Sequence, residues 1–170
     1  PGMDRRLGIV AAAASDRCWR GSAEMAHDVM AALHDPEDLG AALARVVGRG
    51  PGLTPSGDDV LVGILSVLRS PLSCPADPDP VESLVRSLRP LLRTTTDVGA
   101  HMLRQACDGH FGRAVHELVS TLIGGGARGQ LHACVRRVVA TGATSGADAC
   151  MGVLVAARMI VDSRHEGIAA

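Results

Sequence analysis

Lysine, asparagine and tyrosine are absent from this 170-residue sequence, which holds one tryptophan and one phenylalanine. Each absence removes a class of function. Without lysine there is no Schiff-base nucleophile and no phosphate loop of the lysine-containing kind. A general base must come from Asp, Glu, His, Cys, Ser or Thr, and a bound anion must be held by Arg, hydroxyls and backbone N–H groups. An aromatic fraction of 1% leaves no stacking platform for single-stranded nucleic acid. The 17 basic residues, all Arg, face 18 acids for a formal net charge of −1. The whole chain therefore carries no electrostatic footprint for DNA or RNA, and no nucleic-acid partner is expected.

Cysteine is sparse and unpatterned. Cys18, Cys74, Cys107, Cys134 and Cys150 include no C-x-x-C pair, which excludes a zinc ribbon and reads as free, mostly buried thiols in a reducing cytoplasm. No apolar run approaches the ~20 residues of a membrane span; the longest are 60–68 and 149–161. Asp4-Arg5-Arg6 followed by an alanine-rich stretch to residue 14 imitates an export signal but is too short for one. The expectation is a cytoplasmic protein with no membrane attachment.

What is present is helical. Apolar residues make up 46% of the chain, enough for an aliphatic core. Start and stop signals mark helices over about 22–34, 35–47, 58–69, 81–92, 94–107, 112–123, 128–141 and 147–162. Asp35-Pro36-Glu37 is an N-cap, a proline at the first helical position and an early carboxylate. Residues 70–80 hold four prolines and read as a loop. Only Leu7 to Val10 reads as a short strand. The chain is therefore expected to be all-α, with residues 1–20 an N-terminal extension and 21–170 a helical domain.

Two of these helices differ from the rest. In 60–68, seven of nine residues are Val, Leu or Ile, and in 149–161 the only charge is Arg158. A helix apolar on nearly all sides is surrounded by other helices, so these two are expected at the centre of a bundle. They also open alike. Thr54-Pro-Ser-Gly-Asp-Asp-Val-Leu-Val-Gly-Ile-Leu65 and Ala143-Thr-Ser-Gly-Ala-Asp-Ala-Cys-Met-Gly-Val-Leu154 share S-G-x-D-x-x-x-G-[IV]-L without a gap. Glycine inside a helix is unfavourable by ~1 kcal/mol against Ala, and close approach of another backbone would offset that. The two helices are expected to cross near Gly63 and Gly152, with their starts related by a pseudo-two-fold axis.

The repeated motif has two readings. In one, Ser56 with Asp59 and Ser145 with Asp148 are capping boxes that satisfy buried helix starts. In the other, the stiff Gly50-Pro-Gly-Leu-Thr-Pro-Ser-Gly57 loop feeds a helix N-terminus that binds an anion. Thr54, Ser56, Gly57, Thr144, Ser145, Gly146 and Arg49 would then hold a phosphate or carboxylate, with Thr95 and Thr96 as a further hydroxyl-rich helix start. Asp58, Asp59 and Asp148 are the candidate catalytic carboxylates; Asp58, whose counterpart is Ala147, is also the candidate ligand for a hydrated Mg²⁺. By that asymmetry Asp59 and Asp148 serve the fold, and replacing Asp58 is expected to leave it intact.

Gly52-Leu-Thr-Pro-Ser-Gly-Asp-Asp59, a Thr-Thr pair about 40 residues on and a closing T-S-G-x-D helix together resemble the AllH-type family, in order from about residue 45 to about residue 160. The family's named member is a subunit of an oxamate carbamoyltransferase, which interconverts oxalurate plus phosphate and oxamate plus carbamoyl phosphate. The resemblance implies a subunit or homologue of such an enzyme. Partner subunits or further copies of the chain would accompany it, with a small anionic metabolite as ligand: carbamoyl phosphate, phosphate or oxamate. The alternative is a non-catalytic scaffold subunit whose motif only caps and packs helices. The seven histidines show no metal-ligand spacing, and Gly124-Gly125-Gly126 reads as a helix terminator.

Overall fold

The computed structural model describes residues 2–71 and 79–168, with side chains at 2–71 and 80–162. Among them the chain forms α1 (Gly2–Ala14), α2 (Ser22–Ala31), α3 (Pro36–Val46), α4 (Ser56–Leu68), α5 (Asp79–Leu88), a 3-10 segment (Arg89–Thr94), α6 (Asp97–Cys107), α7 (Arg113–Ile123), α8 (Arg128–Val139) and α9 (Ser145–Ile168). No strand occurs among the described residues, and the fold is all-α. Cys74 and most of the proline-rich stretch 70–80 lie outside them.

Local signals set the helix ends. Asp35 caps α3 by accepting from the N–H groups of Glu37, at 2.9 Å, and Asp38, with Pro36 at the first position. Of the three consecutive threonines, Thr96 is the cap of α6 and accepts from Gly99 N–H at 2.9 Å. The helix expected to reach residue 92 stops at Leu88. Pro90 has no N–H to continue the α ladder, and the chain tightens into the 3-10 segment.

The N-terminal segment corrects the sequence reading. Residues 7–10 are not a strand but the middle of α1. Leu7, Val10 and Ala14 stand at helical spacing and are all buried against α8 and α9. Four consecutive residues are too few to separate a two-residue period from one helix turn. Arg6 then crosses to the end of α7, where its guanidinium donates to the carbonyls of Leu122 (2.9 Å), Gly126 (2.7 Å) and Thr121. Carbonyls at a helix C-terminus lack intrahelical donors, and a cation there also meets the negative end of the helix dipole.

All thirteen residues of α4 are buried, and α9 packs along it. The packing is aliphatic: Leu61, Ile64 and Leu65 of α4 have essentially no exposure, each favouring the fold by about 1.5–3 kcal/mol through apolar burial. The two mid-helix glycines set the spacing. A Cβ on Gly63 would lie 2.1 Å from the Ala149 carbonyl oxygen, and one on Gly152 would lie 2.1 Å from that of Val60. The contact is reciprocal, because Ala149 and Val60 occupy the same place in the two motifs. A second contact recurs as well. Gly57 meets the Val46 carbonyl and Gly146 the Val138 carbonyl, at 2.0 and 1.8 Å from a built Cβ. Each motif glycine is thus a place where two backbones touch.

Alanine scanning of glycines tests this spacing. Gly63→Ala or Gly152→Ala should lower stability by about 3 kcal/mol or more, since the clash is with backbone rather than a movable side chain. Gly40→Ala in α3, where a Cβ meets nothing within 4 Å, should gain about 0.5–1 kcal/mol. Urea titrations followed by circular dichroism measure all three; equal effects would refute the crossing.

Candidate functional site

Close packing at the glycines brings the two helix starts together. The Thr54 and Ser145 hydroxyls, one from each motif, hydrogen-bond at 2.8 Å and are half-buried. Both lie beside the carboxylate of Asp59 and favour its charged form. Desolvation outweighs them and, helped by the neighbouring charges of Asp148 and Asp58, raises the Asp59 carboxyl from its ordinary 3.8 to about 7. Its Oδ2 is buried with no hydrogen-bond partner.

Asp148 is equally buried but tied elsewhere. Its Oδ1 accepts from the Trp19 backbone N–H at 2.7 Å and the Ser22 hydroxyl at 2.6 Å, joining the start of α9 to the turn before α2. Its Oδ2 is buried and unpartnered. Asp58 accepts from Gly48 N–H at 2.8 Å and from the Thr95 hydroxyl, one bond to each oxygen. A Cβ on Gly99 would fall 2.2 Å from its Oδ2, so that glycine leaves room for the acid. Burial is the main cause of an Asp58 carboxyl raised above its ordinary range, with these two donors opposing it.

These contacts revise several sequence expectations. Neither Ser-x-x-Asp is a capping box. The cap position of α4 is Pro55 with no side-chain bond, Ser56 is the first helical residue, and its buried Oγ has no partner. The acids reach across to other segments instead. Five of the backbone donors at the helix starts are also taken: Gly57 N–H by Arg49 O, Asp58 and Asp59 N–H by Pro55 O, Gly146 N–H by Thr141 O, Asp148 N–H by Thr144 O. Gly57 and Gly146 serve backbone contact, and Asp58, expected to be free of the fold, clamps the loop at Gly48 to the start of α6. No group of three His, Cys, Asp or Glu able to hold a metal occurs among the described residues, and both oxygens of Asp58 are already bonded.

Other expected residues are spread around the cluster. Thr96 donates to the Leu53 carbonyl as well as capping α6. Thr144 is half-buried beside Ser145 in sequence. The Arg49 side chain is exposed and lines a different cleft, with Trp19 and Arg45. Ser22, Gly48 and the Trp19 backbone were missed by the sequence reading. Ser22 carried only the signal of a helix opener, and backbone donors carry none. His101 and His110, set aside for their spacing, share a groove of about 280 Å³ with Gln105 and Phe111.

The model of the family described as oxamate carbamoyltransferase subunit AllH matches residues 46–157. The chain belongs to this family. The match runs from the last residue of α3 through the buried part of α9, so it contains Asp58, Asp59, Thr95 and Asp148, while α1, α2 and the Trp19–Ser22 corner lie before it. No solved structure matches the chain. In this AllH-family chain, no helix among the described residues is long and apolar enough to cross a membrane. Cys18, Cys107, Cys134 and Cys150 are free thiols.

Two substitutions test the buried acids. Asp58→Ala should destabilise by about 2 kcal/mol or more, because it strands the Gly48 N–H and the Thr95 hydroxyl inside the fold. Asp59→Asn tests the raised carboxyl. In the native chain that group is neutral at low pH, and the stability this gives is lost as pH rises through the folded value of about 7. The melting temperature of Asp59→Asn relative to the native chain should therefore climb between about pH 4 and about pH 7 and level off above. A difference that stays constant with pH would mean Asp59 is not held neutral.

Proposed function

We propose that the chain acts as the AllH-type subunit of an oxamate carbamoyltransferase-like enzyme and holds a small anion (carbamoyl phosphate, phosphate or oxamate) over the Thr54–Ser145 hydroxyl pair. The observation that carries this reading is the pair itself. Two hydroxyls from distant segments meet at 2.8 Å, half-buried, directly beside a carboxyl raised to about 7. Hydroxyls aimed at a carbamoyl or carboxylate oxygen stabilise charge that develops there. A carboxyl poised near neutrality takes or gives a proton with little bias. In carbamoyl transfer the oxamate amide nitrogen attacks the carbamoyl carbon, phosphate leaves, and the nitrogen sheds a proton. Asp59, in its charged form, is the group in this chain suited to accept it. Asp58 and Asp148 position the loop and the helix start around it rather than react.

The second reading, a scaffold subunit with the chemistry on partner chains, is favoured by a specific observation. Gly57, Gly63, Gly146 and Gly152 are all accounted for by backbone packing, and Asp58 and Asp148 by bonds within the fold. Leu53, at 73%, and Val98, at 42%, are exposed large apolar side chains and suit contact with another subunit.

Ligand-induced thermal shifts separate the two. A ligand at a hundred times its Kd adds about 2.7 kcal/mol, or ~5–10 °C for a chain of this size. Carbamoyl phosphate or oxamate should raise the melting temperature of the native chain, and Thr54→Val or Ser145→Ala should reduce the rise with little change in unliganded stability. A rise of undiminished size in both variants, or none at all, would overturn the hydroxyl-pair site.

A further inference from the structure

A cleft of about 610 Å³ lies away from the hydroxyl pair. It lies between α2, the turn before it, and the end of α3 with its following loop. Its charged walls are Arg20, Arg45 and Arg49 together with Glu24 and Asp28, and Trp19 forms part of its lining. Ion pairs involve Arg69, Arg89, Arg113, Arg137 and Arg158, but none of the three cleft arginines, among the described residues. Nor does any of their guanidinium groups hydrogen-bond to another residue there. Two carboxylates line the same cleft without neutralising them.

The cleft is also built on fixed backbone. Trp19 N–H is held by the buried Asp148 at 2.7 Å, Gly48 N–H by the buried Asp58 at 2.8 Å, and Arg49 O receives the N–H of the buried Gly57 at 2.9 Å. Both sides are therefore anchored to the polar interior beneath the helix starts. A preformed concavity of this size with a few convergent charged groups fits a small molecule, and a rigid one loses less entropy on binding. Guanidinium groups match carboxylate and phosphate oxygens, two donors to two acceptors. Carboxylates in the same cleft accept only from N–H or O–H groups. They repel a ligand that is anionic throughout.

We infer that the cleft of Arg20, Arg45 and Arg49 is a binding site for a small two-ended metabolite, with a carboxylate or phosphate at one end and amide or amine N–H groups at the other. The arginines take the anionic end, and Glu24 and Asp28 accept from the nitrogen end. The site is separate from the Thr54–Ser145 pair and does not depend on the reading given for it.

Trp19 is the only tryptophan, and there is no tyrosine, so the intrinsic emission of the whole chain reports on this cleft. The probes are oxamate, which has both ends, oxalate, which has two anionic ends, and inorganic phosphate, titrated at low salt. Oxamate should give a saturable change in emission, tighter than oxalate or phosphate and weakened by added NaCl. Arg45→Ala with Arg49→Ala should weaken oxamate about tenfold or more, whereas Ser145→Ala should leave the titration unchanged. Glu24→Gln with Asp28→Asn should erase the preference for oxamate over oxalate. The arginines are on the surface, and circular dichroism verifies folding; Arg20→Ala serves if the double variant is unstable. No saturable change, or arginine variants that bind as the native chain does, would overturn the site. An unaltered preference in the Glu24/Asp28 variant would overturn its two-ended recognition. A loss on Ser145→Ala alone would assign the signal to the hydroxyl pair and overturn the separate cleft.

Discussion

The contact of Gly63 with the Ala149 carbonyl, and of Gly152 with the Val60 carbonyl, is the constraint on which the rest of this structure depends. Two helices separated by ordinary side chains lie 8–10 Å apart; removing both Cβ atoms lets the backbones themselves meet. That approach draws together the first turns of α4 and α9. Without it, Thr54 and Ser145 could not share a hydrogen bond and Asp59 would not feel the charge of Asp148. The glycines are unfavourable to each helix alone, and the packing of two almost wholly apolar helices outweighs that penalty.

The same approach creates an electrostatic problem. Asp58, Asp59 and Asp148 are all brought into the interior, each at 3% exposure or less, with no cation beside them among the described ion pairs. Burial of unpaired carboxylates is unfavourable enough that they either collect donors or remain protonated. Asp58 and Asp148 collect donors, from Gly48 and Thr95 in one case and from Trp19 and Ser22 in the other. Asp59 has only the two motif hydroxyls nearby and takes the other course. One repeated sequence motif therefore yields three carboxylates with different tasks, and the difference lies in what each finds around it. The clamps made by Asp58 and Asp148 also fix the two sides of the arginine cleft, so an interior polar network shapes a surface concavity between α2 and the end of α3.

The all-α class and most helix limits were legible in the sequence because they rest on short-range chemistry: 3.6-residue periodicity, Asp35 before Pro36, and a run of threonines before Asp97. The crossing at Gly63 and Gly152 was legible too, since a mid-helix glycine has few other reasons to exist. Residues 7–10 were misread because four residues cannot distinguish the two periods, and only the burial of Leu7, Val10 and Ala14 on one face against α8 and α9 decides for a helix.

The polar site divides along the same line. Composition alone determined that any anion must meet Arg, hydroxyl or backbone donors, and the motif alone determined which acids and serines stand at the helix starts. Which of them remain available was decided by tertiary structure, because availability depends on partners distant in the chain. Asp58 is spoken for by a loop ten residues back and a threonine 37 residues ahead, Asp148 by a corner 129 residues earlier. Five of the backbone donors were consumed by turns whose geometry the residue names do not encode. Arg49 was recognisable as a lone cation beside a glycine loop. That it stands with Arg20, Arg45 and Trp19 around a cleft follows only from the packing of α2 against the end of α3.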